Sequence, residues 1–388
     1  MPIEDYRRNI HGYPKIQTEI EVLRKYGTDY TSRRGDVEKI IRRIHPSRLN
    51  LKVSEIRQET KTAKTIRLVS GGTMLPPFQA GQYINLFVEI GNIRISRPYS
   101  LSSAPHQTGY YEITVRRVEA GFVSNYLLDE LKIGDRLEST SPAGNFYFNP
   151  LFHGHDLIFL AGGSGITPFM SMIREVTDRE LSLNIHLIYG SRQTDDIIFQ
   201  RELENRVACH SNFRLTNVIS EPPAGYAGHC GFISKKLLGD VLDHSSAKMF
   251  YLCGPEIMYR FCLGELSVLG ISGRKIRTEL FGPPLDIAAL PGWPLHVSRR
   301  DVFNVTLSNG KTISAKASEP LMVSLEKAGI TVASTCRSGE CSLCRTKLIS
   351  GRVFHSPSVK LRKSDRQFGY IHPCVAYPLD DLQIMIPL

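Results

Sequence analysis

The 388-residue sequence holds a single tryptophan and no apolar run long enough to span a bilayer. Residues 157–173 come nearest, and glycines and a proline interrupt them. The chain opens Met1-Pro2-Ile3-Glu4-Asp5, with acids where a secretory signal needs an apolar core. The expectation is a cytoplasmic protein that neither spans nor binds a membrane. There is no internal repeat, low-complexity segment, arginine-rich run or basic strand studded with aromatics. The net charge of +10 is spread along the chain, which argues for a solvated surface that prefers acidic partners and against nucleic-acid binding. The twelve histidines form no H-x-x-x-H pair, and nothing marks a nucleophile or a general base. Apolar content of 41 % and charged content of 22 % are ordinary for a globular chain of this length, which has room for several domains.

Cysteines are present in a pattern. Cys336, Cys341 and Cys344 follow C-x4-C-x2-C, and Cys374 stands thirty residues further on. Structural zinc usually takes two short pairs of ligands, whereas this triplet with one distant cysteine is the plant-type spacing for a [2Fe–2S] cluster. Such a loop must bend tightly and aim amide N–H groups at sulfur, and Ser338, Gly339 and Ser342 are small enough to allow it. His372, two residues before Cys374, reads as a loop residue, because four cysteines already complete the ligand set. Cys209, Cys230, Cys253 and Cys262 form no disulfide framework. Residues 303–388 resemble a plant-type ferredoxin domain, also in Val305-Thr306-Leu307, Leu325–Ile330 and Cys374–Leu379. More Lys and Arg than Asp and Glu make this part net basic, unlike most plant ferredoxins, which counts against a partner that presents a basic face.

Residues 1–48 read as a helical extension. Ile16–Tyr26 carries apolar Ile20, Val22 and Leu23 after a break at Gly12 and Pro14. Asp36 is placed to cap a second helix, with Val37, Ile40, Ile41 and Ile44 on one face and Pro46 ending it.

Residues 49–150 read as short strands: Leu51–Val53, Thr65–Val69 and Tyr111–Val115 alternate and Tyr83–Ile90 is a longer apolar run, punctuated by Gly71-Gly72 and Pro76-Pro77. The spacing predicts an antiparallel barrel. Arg97-Pro98-Tyr99-Ser100 falls at a strand end, and Gly121-Phe122-Val123-Ser124 opens a helix. An arginine can clamp phosphates by paired hydrogen bonds, a tyrosine can cover a flat ring, and a helix start offers free N–H groups. Residues 151–281 alternate strand and helix, with strands at Leu157–Leu160, Ile185–Tyr189 and Met249–Leu252 and a helix at Phe169–Val176. This predicts an open parallel sheet. Gly162-Gly163-Ser164-Gly165-Ile166-Thr167-Pro168 follows its first strand, and Cys253-Gly254-Pro255 a later one. Glycines there let the backbone approach a pyrophosphate, although the pattern is not G-x-G-x-x-G. Residues 282–300 read as a linker, with Trp293 packed at a domain interface.

Together these motifs resemble the ferredoxin–NADP reductase superfamily, which has R-x-Y-S in a flavin barrel and G-G-x-G-x-T-P and C-G-P in a nicotinamide domain. Pro76–Gln82 and Ser141–Phe146 add to the likeness. The resemblance implies that Arg97 holds the flavin phosphates and Tyr99 stacks on the ring, with Pro98 between them. It puts Ser100 near the reactive N5, and Gly121, Val123 and Ser124 at the pyrophosphate. It puts Gly162, Gly163, Gly165, Thr167, Pro168, Ser191, Arg192, Gly254 and Pro255 at the nicotinamide nucleotide. It puts Cys253 beside the nicotinamide and Glu279 and Phe281 in the segment that ends the domain, with Glu279 either near the flavin or structural. The flavin is FAD, with FMN as the alternative. Arg192 could meet a 2′-phosphate, but Glu221 stands where relatives using NADPH carry a cation, so NADH is favoured over NADPH.

The order flavin, nicotinamide, ferredoxin, with residues 301–388 as the last domain, is that of reductases of the phenylacetyl-CoA epoxidase and phthalate dioxygenase type. It implies electron transfer from NAD(P)H through flavin and cluster to an external acceptor protein, an oxygenase or other metalloenzyme. The alternatives are a corrinoid protein or separate ferredoxin as acceptor, and a redox-sensing module.

Overall fold

A computed structural model describes residues 11–27, 35–72, 74–119, 121–242, 248–280, 286–357, 359 and 361–386. The chain forms two compact units, Met1–Ser47 and Arg48–Leu388.

The first unit contains α1 (Tyr13–Tyr26) and α2 (Asp36–Ile44). Pro14 does not break α1. It falls in the first turn, where a missing N–H costs nothing. Nor does Asp36 cap α2: Gly35 holds that place at φ 89°, and Asp36 is the first helical residue, with its carboxylate 3.2 Å from Lys39. Val37, Ile40, Ile41 and Ile44 are exposed.

In the second unit β1 (Leu49–Thr60), β2 (Ala63–Ser70), β3 (Tyr83–Ile90), β4 (Ile93–Ser100), β5 (Tyr111–Arg116) and β6 (Arg136–Ser139) form an antiparallel sheet in the order β4-β3-β6-β1-β2-β5. A bridge between Leu101 and Ile113 joins its two ends. Alternation explains the core: Leu49, Leu51 and Val53 of β1 and Ile84, Leu86 and Val88 of β3 turn inward. Each contributes about 1.5–3 kcal/mol by leaving water. β1 runs well beyond the predicted Leu51–Val53. Its second half is polar, and Arg57 there pairs with Glu55 and Glu59. Helix α3 (Phe122–Asp129) lies between β5 and β6 in sequence, with Gly121 as its N-cap.

The second sheet is wholly parallel, in the order β10-β9-β8-β7-β11-β12. Its strands are β7 (Asp156–Gly162), β8 (Asn184–Ser191), β9 (Phe213–Ile219), β10 (His229–Cys230), β11 (Met249–Gly254) and β12 (Ile276–Leu280). Successive residues serve two cores. Leu157, Phe159 and Ala161 of β7 join Met249, Tyr251 and Cys253 of β11 on one face, with Phe169 and Ile173 of α4 (Ile166–Asp178). Ile158 and Leu160 join Phe250 and Leu252 on the other, with residues of α6 (Lys235–Val241) and α7 (Glu256–Val268). A sheet covered on both sides reads as unbroken apolar runs. Helix α5 (Gln200–Cys209) connects β8 to β9.

The third sheet is mixed, in the order β14-β13-β19-β15-β17, with a small β16–β18 pair beside it. It comprises β13 (Val302–Leu307), β14 (Thr312–Lys316), β15 (Thr346–Ser350), β16 (Val353–His355), β17 (Tyr370–Ile371), β18 (Ala376–Pro378) and β19 (Leu382–Met385). Helix α8 (Leu321–Lys327) buries Leu321, Met322 and Leu325 against it, and α9 (Lys363–Gln367) precedes β17. Trp293 meets the Phe354 ring edge-on at 5.3 Å and donates to the Val297 carbonyl at 3.0 Å, so the segment before β13 packs on the β16–β18 pair.

Candidate active site and metal centre

Three chain segments far apart in sequence converge at the ends of β4, β11 and β12. Ser100 ends β4, and its Oγ donates to Glu279 Oε2 at 3.5 Å. Glu279 on β12 is the direct neighbour of Cys253 on β11. Burial, reinforced by the carboxyl of Glu340, pushes the Glu279 acid well above its ordinary range. Burial likewise pushes the Cys253 thiol up, which keeps it neutral. Phe281 lies outside the described residues.

Arg97 and Tyr99 lie on β4 on either side of Pro98. The Arg97 guanidinium donates to the Ser96 carbonyl at 2.8 Å, and burial, with Arg337 close by, holds it down to about 10. Tyr99 rests on the barrel core. At the start of α3, Ser124 Oγ is buried with no hydrogen-bond partner in the protein, beside first-turn N–H groups that no side chain caps. A Cβ on Gly121 would come within 2.3 Å of that hydroxyl. An orphaned hydroxyl and free amides at a helix start suit a phosphate, so these residues fit a flavin nucleotide. The Val123 side chain points into the barrel core, leaving only its backbone for a ligand.

The glycine loop after β7 is packed too closely for side chains. A Cβ on Gly162 would lie 2.2 Å from Met258 Sδ, and one on Gly165 2.2 Å from the Cys253 carbonyl. Thr167 Oγ1 donates to the Ser164 carbonyl at 2.8 Å, and Pro168 falls in the first turn of α4. Gly254 ends β11, and Pro255 caps α7. Arg116, not expected from the sequence, reaches over this loop from β5. Its Nη1 is 2.7 Å from where a Gly163 Cβ would stand, and it is paired with Asp196. Ser191 is buried at the end of β8, whereas Arg192 next to it is exposed and bound through Nε to Glu221 at 2.8 Å.

The four expected ligand cysteines gather as two pairs. Cys336 and Cys341 Sγ are 3.3 Å apart, and so are Cys344 and Cys374 Sγ. None of the four is in a disulfide, and no group of three or more potential ligands suited to a single metal ion occurs among the described residues. Two pairs of thiols suit two irons. The loop is wound through left-handed backbone at Arg337 (φ 52°), Gly339 (φ 82°) and Ser342 (φ 58°). The Cys336 thiol and backbone N–H groups that include those of Leu343 and Thr335 hold Cys341 down to about 5, as a thiolate. Sulfur that accepts amide hydrogen bonds is what a cluster loop needs, so the residues fit the [2Fe–2S] group. His372 bridges the Gly339 carbonyl (Nδ1, 2.9 Å) and Asp365 (Nε2, 2.9 Å), fully buried.

A flavin-type barrel and a nucleotide sheet meeting at one site, with a thiol-lined loop alongside, define an NAD(P)H-dependent flavin and iron–sulfur reductase. Residues 50–148 match the family model of the oxidoreductase FAD-binding domain, residues 159–263 that of the oxidoreductase NAD-binding domain, and residues 305–379 that of the 2Fe-2S iron-sulfur cluster binding domain. The tetrachlorobenzoquinone reductase of Sphingobium chlorophenolicum is 31 % identical over 315 residues, covering 80 % of this chain and 89 % of the relative. The glycine betaine monooxygenase reductase subunit of Chromohalobacter salexigens is 28 % identical over 351 residues, covering 87 % and 95 %. Among solved structures, phthalate dioxygenase reductase superposes with a TM-score of 0.67 at 25 % identity, covering 88 % of this chain and 98 % of that one.

The chain belongs to the ferredoxin–NADP reductase superfamily, in the branch that carries a C-terminal plant-type [2Fe–2S] domain. It is an NAD(P)H-dependent oxidoreductase whose cofactors are FAD and a [2Fe–2S] cluster. No helix among the described residues is long and apolar enough to cross a membrane.

Proposed function

We propose that this reductase takes electron pairs from NADH and delivers them singly, in the cytoplasm, to a separate oxygenase component or other metalloenzyme. Bound flavin accepts electrons in pairs and gives them up one at a time, and the cluster carries single electrons. Arg97, the first-turn N–H groups of α3 and Ser124 Oγ would hold the flavin phosphates, with Tyr99 covering its ring. Ser100 and Glu279 would stand at the reacting edge, where burial favours the neutral form of the Glu279 carboxyl and Ser100 Oγ is held toward it. Cys253, Gly254 and Pro255 would line the nicotinamide. Gly162, Gly163, Gly165 and the first turn at Thr167 and Pro168 would admit its pyrophosphate. Cys336 with Cys341 would hold one iron, and Cys344 with Cys374 the other.

The observation that carries the reading is the meeting of Ser100, Cys253 and Glu279 at one point, with Glu340 of the cluster loop near enough to act on Glu279. NADH rather than NADPH is favoured because Glu221 occupies Arg192, which takes away the cation a 2′-phosphate would need. The monooxygenase reductase subunits among the relatives support an oxygenase as acceptor. The basic iron–sulfur domain favours an acceptor with an acidic docking face.

Anaerobic stopped-flow mixing of the oxidised holoprotein with NADH, and separately with NADPH, tests this. Flavin absorbance is expected to bleach first and cluster absorbance next, faster with NADH. Flavin bleaching that leaves the cluster oxidised overturns the route.

A further inference from the structure

On β3, Ile84, Leu86 and Val88 face the barrel core, so Tyr83 and Asn85 belong to the outer face. Asn85 is nevertheless fully buried. The iron–sulfur domain covers it. Asn85 Nδ2 donates to the carbonyl of Ser334 at 3.0 Å and to Ser96 Oγ of β4 at 3.1 Å. Ser96 Oγ also accepts from Arg337 Nη2 at 3.4 Å. Ser334 precedes Cys336 by two residues and Arg337 follows it by one, so the barrel grips the chain on both sides of a cluster cysteine. Arg337 pairs in turn with Glu326 of α8, and Glu326 Oε2 is 3.9 Å from Arg97 Nη1.

Two residues along the same face, Tyr83 is the strand partner of Ser100. Burial, with the sulfurs of Cys336 and Cys341 and the carboxyls of Glu279 and Glu340 nearby, pushes its phenol well up. One face of β3 therefore touches both the cluster loop and the reacting edge of the flavin site.

This contact is not built for adhesion. Asn85 Oδ1, Arg337 Nε and Glu326 Oε2 are buried there without hydrogen-bond partners. An apolar patch of the same size would hold the domains more tightly. Directional bonds fix orientation instead, at a cost in stability.

We propose that Asn85 and Ser96 are positioning residues for electron transfer between the cofactors. They form a two-point latch astride Cys336 that sets the cluster's distance from the flavin edge, and this assignment rests on the flavin-to-cluster route proposed above. Each NADH oxidised to NAD+ yields two electrons and one proton. The electrons cross the latched junction singly and leave to two equivalents of a one-electron acceptor. The latch governs that crossing and leaves the oxidation of NADH untouched.

The test uses Asn85→Leu, which keeps the bulk and removes the donor, and Ser96→Ala, a smaller change that removes the hydroxyl shared by Asn85 and Arg337. Both are made in the holoprotein, with flavin, iron and labile sulfide checked against wild type. NADH is expected to bleach the flavin at the wild-type rate, while cluster bleaching slows several-fold in Asn85→Leu, because single-electron transfer weakens steeply as the cofactors move apart. Cytochrome c reduction through the cluster should fall in parallel. If Asn85→Leu fails to keep its cluster, Ser96→Ala alone decides between the outcomes. Unchanged cluster bleaching, or both bleaching steps slowing equally, overturns the latch. A wild-type cluster that stays oxidised after flavin bleaching instead overturns the route itself, so the two failures are distinct.

Discussion

Against the nucleotide sheet, the barrel presents charge that is met in full. Arg174 of α4 reaches back to Glu112 of β5 at 2.8 Å and to the Ser102 carbonyl at 2.8 Å, and holds Glu202 through two bonds. Arg206 adds a further bond to Glu202, and Ser171 Oγ donates to the Ser103 carbonyl at 2.6 Å. Ala63 and Phe146, from the barrel side, join the apolar core of the parallel sheet. Against the iron–sulfur domain, the same barrel presents Asn85 and Ser96, and the polar atoms there are only partly matched. The first junction is continuous with a core and its ions are paired, which suits a permanent platform for two nucleotides. The second fixes direction at the expense of strength, which suits a module whose placement decides a rate.

The comparison breaks most visibly at Arg174. Replacing it with leucine takes one partner from Glu202, which keeps Arg206, and one from the buried Glu112, which keeps Arg67. It should cost about 3 kcal/mol, the low end for breaking a buried pair, because both carboxylates stay partly matched. Denaturant unfolding followed by flavin release would register it, and a loss under about 1 kcal/mol would show that the junction does not depend on those ions.

Acid should separate the two regions next. Although burial works the other way, the bonds from Arg174 and Arg206 hold the Glu202 carboxyl below its ordinary range, so the nucleotide junction keeps its charge in mild acid. In the iron–sulfur domain, burial, with His372 and Arg366 nearby, pushes His355 down to about 4. The unfolded chain takes up this proton near pH 6.5 and the folded chain only near 4. The unfolded state therefore binds more protons in that window, and stability is whole above pH 6.5 and lost as pH falls toward 4. The loss is at most about 3 kcal/mol. Between those pH values, cluster absorbance should fail before flavin is released, and His355→Gln should flatten the difference.

Asn85→Leu comes third in stability, at about 1–2 kcal/mol for the acceptors it strands. It nonetheless has the largest expected effect on the flavin-to-cluster rate. A variant that destabilises as much as Arg174→Leu would erase the contrast between the junctions. The smallest effect belongs to Glu221→Gln, at an exposed pair outside both junctions. It should leave the unfolding midpoint where it is and raise kcat/KM for NADPH several-fold by freeing Arg192. No gain with NADPH would remove this pair from coenzyme selection.

Much of the fold is legible in the sequence. The strand Tyr83–Ile90 has its predicted bounds, because eight residues with alternate apolar positions leave little choice of register. The helix after the glycine loop begins at Ile166 rather than Phe169, since Thr167 and Pro168 both suit a first turn. Arg116, Ser96, Glu326 and Tyr83 are not legible as site residues, because each gains its role from a partner in another domain. Asn85 leaves one trace, a lone amide in the middle of an apolar strand, which must find a hydrogen bond if it is buried.

What the sequence determined by itself is short-range. The spacing of Cys336, Cys341 and Cys344, the glycines after β7 and the start of α3 at Gly121 each shape a few residues through local backbone freedom. Only the tertiary structure decided that Ser100, Cys253 and Glu279 meet within hydrogen-bonding and strand-neighbour distance, and that the cluster loop lies on Asn85. Those meetings depend on strand order, register and the packing of whole sheets against one another. Such long-range terms are shared across the whole fold, and no short stretch of the chain encodes them.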